Sequence, residues 1–129
     1  MTIESRELFD LCRSVYKATG WTGTNQVIGI YYQISEVDVK YGIFDRSEKR
    51  YEPVDTPLYT SDYLLEKLPS PLIFHNNDCA IEVRRTKKDK YMWSANIRHS
   101  YGQFFKQLSD TPLNALLKLC LKLHEEEIL

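Results

Sequence analysis

The chain has 129 residues, of which 43% are hydrophobic and 27% charged, with a formal net charge of −1. That length predicts one domain, residues 1–129, with its own core. Nine Tyr and two Trp argue against disorder, and no apolar run approaches the roughly 20 residues of a membrane span.

The opening residues, Met1 to Glu7, lack the basic-then-apolar layout of a signal peptide. Three cysteines, Cys12, Cys79 and Cys120, are widely spaced and lie in apolar patterns. Reduced, buried thiols and a cytoplasmic location are therefore expected.

Residues 4–18 read as the first helix. Leu8, Leu11, Cys12, Val15 and Ala18 follow helical spacing, opposite Glu4, Arg6, Asp10, Arg13 and Lys17. Gly20 suits the C-cap, and Trp21 folds back onto the core. Residues 26–34 are β-rich, with Ile28, Ile30, Tyr32 and Ile34 on one face. Gly29 falls on the other face and suits a bulge. Val37, Val39, Tyr41 and Ile43 alternate with polar residues or glycine and predict a second strand. Residues 45–49 make a polar connection, and Arg50 to Val54 predict a third, edge strand ended by Pro53 and Pro57.

Thr60 to Leu68 reads as a short helix, capped by Thr60 or Ser61 and stopped by Pro69. Leu72 to His75 is extended, and Asn76-Asn77-Asp78 reads as a turn. A hairpin follows. Cys79, Ile81 and Val83 alternate with Ala80, Glu82 and Arg84. Tyr91, Trp93, Ala95 and Ile97 alternate with Met92, Ser94, Asn96 and Arg98. A five-residue connection, Thr86 to Lys90, centres on Lys88. It pairs Val83 with Trp93, Ile81 with Ala95 and Cys79 with Ile97, which points all six side chains to the core. Residues 99–109 fit either a loop or a strand followed by a turn.

The last stretch, Asp110 to His124, predicts a long core helix. Asp110 or Thr111 caps it, and Pro112 suits its first position. Asn114, Lys118 and Lys122 form a narrow polar stripe. Leu113, Leu116, Leu117, Cys120 and Leu123 form the opposite face, which Leu119 and Leu121 widen beyond the needs of one amphipathic helix. That surplus, with Ala115, predicts cover from more than one side, and a twofold homodimer through this helix or a sheet edge. The element order gives an α+β protein: a mainly antiparallel β-sheet packed by an N-terminal helix and a long C-terminal helix.

Segments Leu58 to Pro69 and Asp110 to Leu119 resemble stretches of small uncharacterised proteins of bacteriophages and bacterial mobile elements. The resemblance covers about a quarter of the chain and rests on helix-start patterns. It implies a bacterial or phage cytosolic protein, and no activity or site residue comes with it.

Chemistry-bearing motifs are sparse. His75, His99 and His124 lack a diagnostic neighbourhood, and there is no Gly-X-Ser-X-Gly elbow. Cys12 and Cys120 sit on apolar helix faces, where a thiol is inert, and Cys79, close to His75, is also better read as a core thiol. No Cys-X-X-Cys or His-Glu-X-X-His pattern appears, so no metal site is expected. His124 before Glu125-Glu126-Glu127 reads as a solvated helix end. The five glycines form no phosphate loop, so no cofactor is expected.

The charge distribution carries the sharpest signal. Residues 81–106 hold seven basic residues and two acidic ones, hence +5, and the remainder holds ten basic and sixteen acidic, hence −6. The candidate nucleic-acid contacts are Arg84, Arg85, Lys87, Lys88, Lys90 and Arg98, near Tyr91 and Trp93. The competing reading is a solvated, edge-protecting hairpin whose aromatics belong to the core. The leading expectation is thus a non-enzymatic protein-interaction module that self-associates and has an unknown protein partner. The alternative is a nucleic-acid or nucleoprotein binder, such as an inhibitor of a host defence complex, using residues 84–98.

Overall fold

The computed structural model describes residues 2–3, 6–33, 39–45, 56–69, 72–74, 77–86, 92–99 and 102–129. Within them the chain is an α+β protein with three helices and two antiparallel four-stranded sheets. It divides into two compact units, residues 1–59 and 60–129.

The first unit contains β1 (Thr2–Ile3), α1 (Arg6–Thr19), β2 (Gln26–Gln33), β3 (Val39–Asp45) and β4 (Thr56–Pro57), with sheet order β1-β3-β2-β4. Helix α1 buries Leu8, Cys12 and Val15, as its spacing predicts, and adds Phe9. Leu11 and Ala18 are only half-buried. Gly20 ends the helix at φ 73, its N–H donating to the Tyr16 carbonyl at 2.8 Å, because a left-handed residue there costs glycine no Cβ clash. The β2–β3 ladder runs unbroken through Gly29, which faces Gly42. The register shift falls between Ile30 and Tyr32, one step later than the glycine expected to carry it. Ile34 and Val37, and the strand expected at 50–54, lie outside the described residues. Thr56 and Pro57 pair with β2. Pro57 cannot donate to a ladder, so it suits a sheet edge.

The second unit contains α2 (Ser61–Lys67), β5 (Leu72–Phe74), β6 (Asn77–Arg85), β7 (Trp93–His99), β8 (Gly102–Ser109) and α3 (Pro112–Glu125). Thr60 Oγ1 caps α2 by accepting from the Tyr63 N–H at 3.1 Å. The strands form a meander in order β5-β6-β7-β8. Phe74 pairs with Asn77 and Ile73 with Asp78, so Asn77 and Asp78 belong to a strand. Their turn propensity yields to ladder pairing; His75 and Asn76 lie outside the described residues.

The β6–β7 register differs from the expected one by two residues. Ile81 faces Ile97, Val83 faces Ala95 and Arg85 faces Trp93. The Thr86 N–H donates to the Met92 carbonyl at 2.8 Å, so the innermost pair is Thr86 with Met92 where Arg85 with Tyr91 was expected: one step further along the first arm and one step later on the second. A shift of two keeps every side chain on its face, so Trp93 still opposes an odd-numbered residue.

The ambiguous segment 99–109 contains β8, paired with β7 from Trp93↔Ser109 to His99↔Gly102. Its register shifts opposite Ala95 to Ile97, where Phe105 takes φ 58, the left-handed conformation of a bulge residue.

Helix α3 packs on β6, β7, β8 and α2. Thr111 is its cap, accepting from the Asn114 N–H at 3.1 Å, with Pro112 in the first turn. Asn114 was expected on the polar stripe but is buried. Lys118 reaches back to the Leu108 carbonyl at 2.9 Å, and Lys122 pairs with Glu126 at 3.3 Å. Leu119 and Ala115 are fully buried and Leu121 is half-buried. Two of the three surplus apolar residues are thus already enclosed within a single chain.

Candidate interaction face

Alternation along β6 and β7 divides the candidate cations. Arg84 opposes Ser94 and Glu82 opposes Asn96, while Arg98 lies two residues beyond Asn96. These five therefore share one face of the sheet. Arg85 belongs to the other face, its guanidinium 5.7 Å from the centre of the Trp93 ring. Lys87, Lys88 and Lys90 fall outside the described residues. Of the three candidate contacts among the described residues, the sheet brings together Arg84 and Arg98 and separates Arg85.

Between those two arginines stands Glu82. Its Oε2 accepts from Arg98 Nη1 at 3.1 Å, and its Oε1 accepts from Gln103 Nε2 at 3.1 Å and from Asn96 Nδ2 at 3.4 Å. Arg84 Nη1 lies 3.7 Å from Oε1. Burial alone would raise the Glu82 pKa. Hydrogen bonds from Arg98 and Asn96, with the positive charges of Arg98 and Arg84, overrule that and hold it below its ordinary value. At neutral pH Glu82 is thus an ionised, heavily occupied acceptor.

The centre of this face is closed to solvent. Ser94 and Asn96 are fully buried, as are Ala95 and Ile97 on the opposite side of the same strand. Among the described residues, Ser94 Oγ and Asn96 Oδ1 have no hydrogen-bond partner. An unpaired buried polar group costs about 1–3 kcal/mol, so two on one strand mark a place where stability is not the sole requirement.

Sequence reasoning singled out the cations and missed Glu82, Ser94, Asn96 and Gln103. The signal for Glu82 was present: an acid two residues before Arg84 shares its face on any strand. Gln103 had no such signal, because its strand was ambiguous.

Elsewhere the reactive groups are quiet. Burial pushes the Cys12 thiol up to about 11 and the Cys120 thiol up to about 12, which suppresses the nucleophilic thiolate. Among the described residues no three His, Cys, Asp or Glu side chains gather to hold a metal ion, and no helix is long and apolar enough to cross a membrane.

Fold and face together define an α+β protein with a mixed-charge, hydrogen-bonded sheet face. Comparison with family models, curated proteins and solved structures gives no match.

Proposed function

We propose that this chain is a non-enzymatic protein-interaction module that self-associates in the cytoplasm, with the Glu82 face as a contact surface for a further protein partner. The observation that supports this is the placement of Glu82 between Arg84 and Arg98. A carboxylate at the centre of a cationic patch weakens attraction for a phosphate backbone. Arginine on a rigid, mixed-charge surface is typical of protein contacts. Exposed Tyr16, Leu65, Ile73 and Met92 supply apolar surface for a second copy. The resemblance of residues 58–69 and 110–119 supports a phage or mobile-element origin.

Light scattering at micromolar concentration tests the reading: the expected mass is twice that of the chain, with an absorbance ratio free of nucleic acid. A monomer that co-purifies with nucleic acid overturns it.

One observation favours nucleic acid instead, namely Arg85 over the half-buried Trp93 ring. In that reading affinity falls steeply with salt, and replacing Arg84, Lys87 and Lys88 by Glu abolishes it without unfolding the chain. Salt-independent binding excludes it.

A further inference from the structure

Ser94 Oγ and Asn96 Oδ1 are buried on the Glu82 face without partners among the described residues. Asn96 cannot resolve this by turning its carboxamide over. Its Nδ2 is the atom that donates to Glu82, and an ionised carboxylate only accepts. Oδ1 is therefore fixed as an acceptor lacking a donor. Ser94, two residues away on the same face, offers a hydroxyl that donates or accepts.

The rim has complementary chemistry. Arg84 and Arg98 each direct one nitrogen at Glu82 and are 54% exposed. A guanidinium carries five N–H donors, so both keep donors facing outward. Two guanidiniums share this single carboxylate, which leaves positive charge in excess.

The geometry points to a docking face for an acidic peptide segment of a partner protein. The partner's carboxylates take the outward donors of Arg84 and Arg98. A peptide N–H meets Asn96 Oδ1, and a peptide carbonyl accepts from the Ser94 hydroxyl. Glu82 competes with the partner for the two arginines. Since the two unpaired atoms lie out of solvent, docking draws the long, exposed arginine side chains outward, off Glu82 and onto the partner's carboxylates. A DNA backbone offers anions for this rim but no donor for Asn96 Oδ1, which favours a peptide. The inference rests on the protein-contact reading above and adds the chemistry of the partner.

Fluorescence anisotropy of a labelled peptide of alternating glutamate and glycine, titrated with the full chain, tests it. A glutamine–glycine peptide is the control and single-stranded DNA the competitor. The acidic peptide binds and the control does not. Arg84→Gln and Arg98→Gln each weaken binding about tenfold, and Glu82→Gln strengthens it by freeing both guanidiniums. Ser94→Ala weakens binding roughly fivefold yet leaves the thermal midpoint of the free chain unchanged or higher, because it deletes an unpaired hydroxyl. Binding indifferent to both arginines overturns the proposal. So does a lowered midpoint for Ser94→Ala, which would show the hydroxyl paired in the free protein. DNA that displaces the peptide and itself depends on Arg84 and Arg98 assigns the rim to nucleic acid. If peptide binding fails while light scattering gives twice the chain mass, self-association stands and only the acidic partner falls.

Discussion

Tyr59, fully buried, donates its phenol hydrogen to the Trp21 carbonyl at 2.6 Å. The bond joins the segment that follows β4 to the segment that follows α1, across 38 residues of sequence. It settles a carbonyl that no helix or strand pairs. Tyr59→Phe keeps the ring and removes the donor. The expected loss is about 1 kcal/mol, read as a lower urea midpoint with an unchanged slope. An unchanged midpoint would mean that solvent satisfies the Trp21 carbonyl equally well.

Gly20 and Gly23 have nearly the same backbone, φ 73 and φ 75, but different surroundings. A Cβ at Gly20 meets nothing within 4 Å, whereas one at Gly23 comes 2.9 Å from Pro57 Cβ. Gly20→Ala is expected to cost about 1 kcal/mol, the left-handed penalty alone. Gly23→Ala adds a steric clash against a ring that cannot bend away, and is expected to cost about 2–3 kcal/mol. Thermal melting of both variants checks the difference; equal midpoints would refute the role of Pro57.

These contrasts show why part of the fold was legible and part was not. Alternation fixes which side of a strand a residue occupies but not its partner, so the β6–β7 hairpin kept its parity while its pairing moved by two residues. Helix starts were legible because Thr60 and Thr111 cap through chemistry local to the sequence. Burial of Ser94, Asn96 and Asn114 was not, since polar side chains on a patterned element look solvated until their neighbours are placed. Phe105 carried no warning either. A bulky residue at φ 58 contradicts local preference and is held by tertiary context. The cations of the candidate face were legible one by one, but their convergence on Glu82 needed the ladder.

The end of α3 offers a stabilising change. The Glu127 N–H donates to the His124 carbonyl at 3.0 Å and the Ile128 N–H to the Leu123 carbonyl at 2.8 Å, the paired bonds of a Schellman ending. Glu127 occupies its left-handed position at φ 60, and it is exposed. Glu127→Gly is expected to raise stability by about 1 kcal/mol, seen as a higher melting midpoint. A lower midpoint would show that the glutamate side chain contributes more than its backbone strain costs.

Buried thiols should resist attack. With Cys12 at about 11 and Cys120 at about 12, neither forms appreciable thiolate at neutral pH, and both are closed to solvent. An aromatic disulfide reagent is expected to leave both unmodified in the folded chain, as located by peptide mass mapping, and to label both once guanidinium unfolds it. Rapid labelling of either in the native state would contradict the packing around α1 or α3.

Glu82 predicts an acid-side signature. Its carboxyl titrates below the ordinary value of 4.5 because Arg98, Asn96 and Arg84 together outweigh its burial. In the unfolded chain those partners are gone and the pKa returns to the ordinary range. Between the two values the unfolded state binds more protons than the folded one, so stability falls as pH falls. The contribution is fully present above the ordinary value and is lost as pH drops through the depressed one. Glu82→Gln removes this titration. Urea midpoints of the two chains should therefore differ by a constant amount from neutral pH down to the ordinary carboxylate range, and converge only below it. Convergence that begins well above that range, or a gap undiminished at the acid end, would show that the arginines do not hold Glu82 ionised in the folded protein.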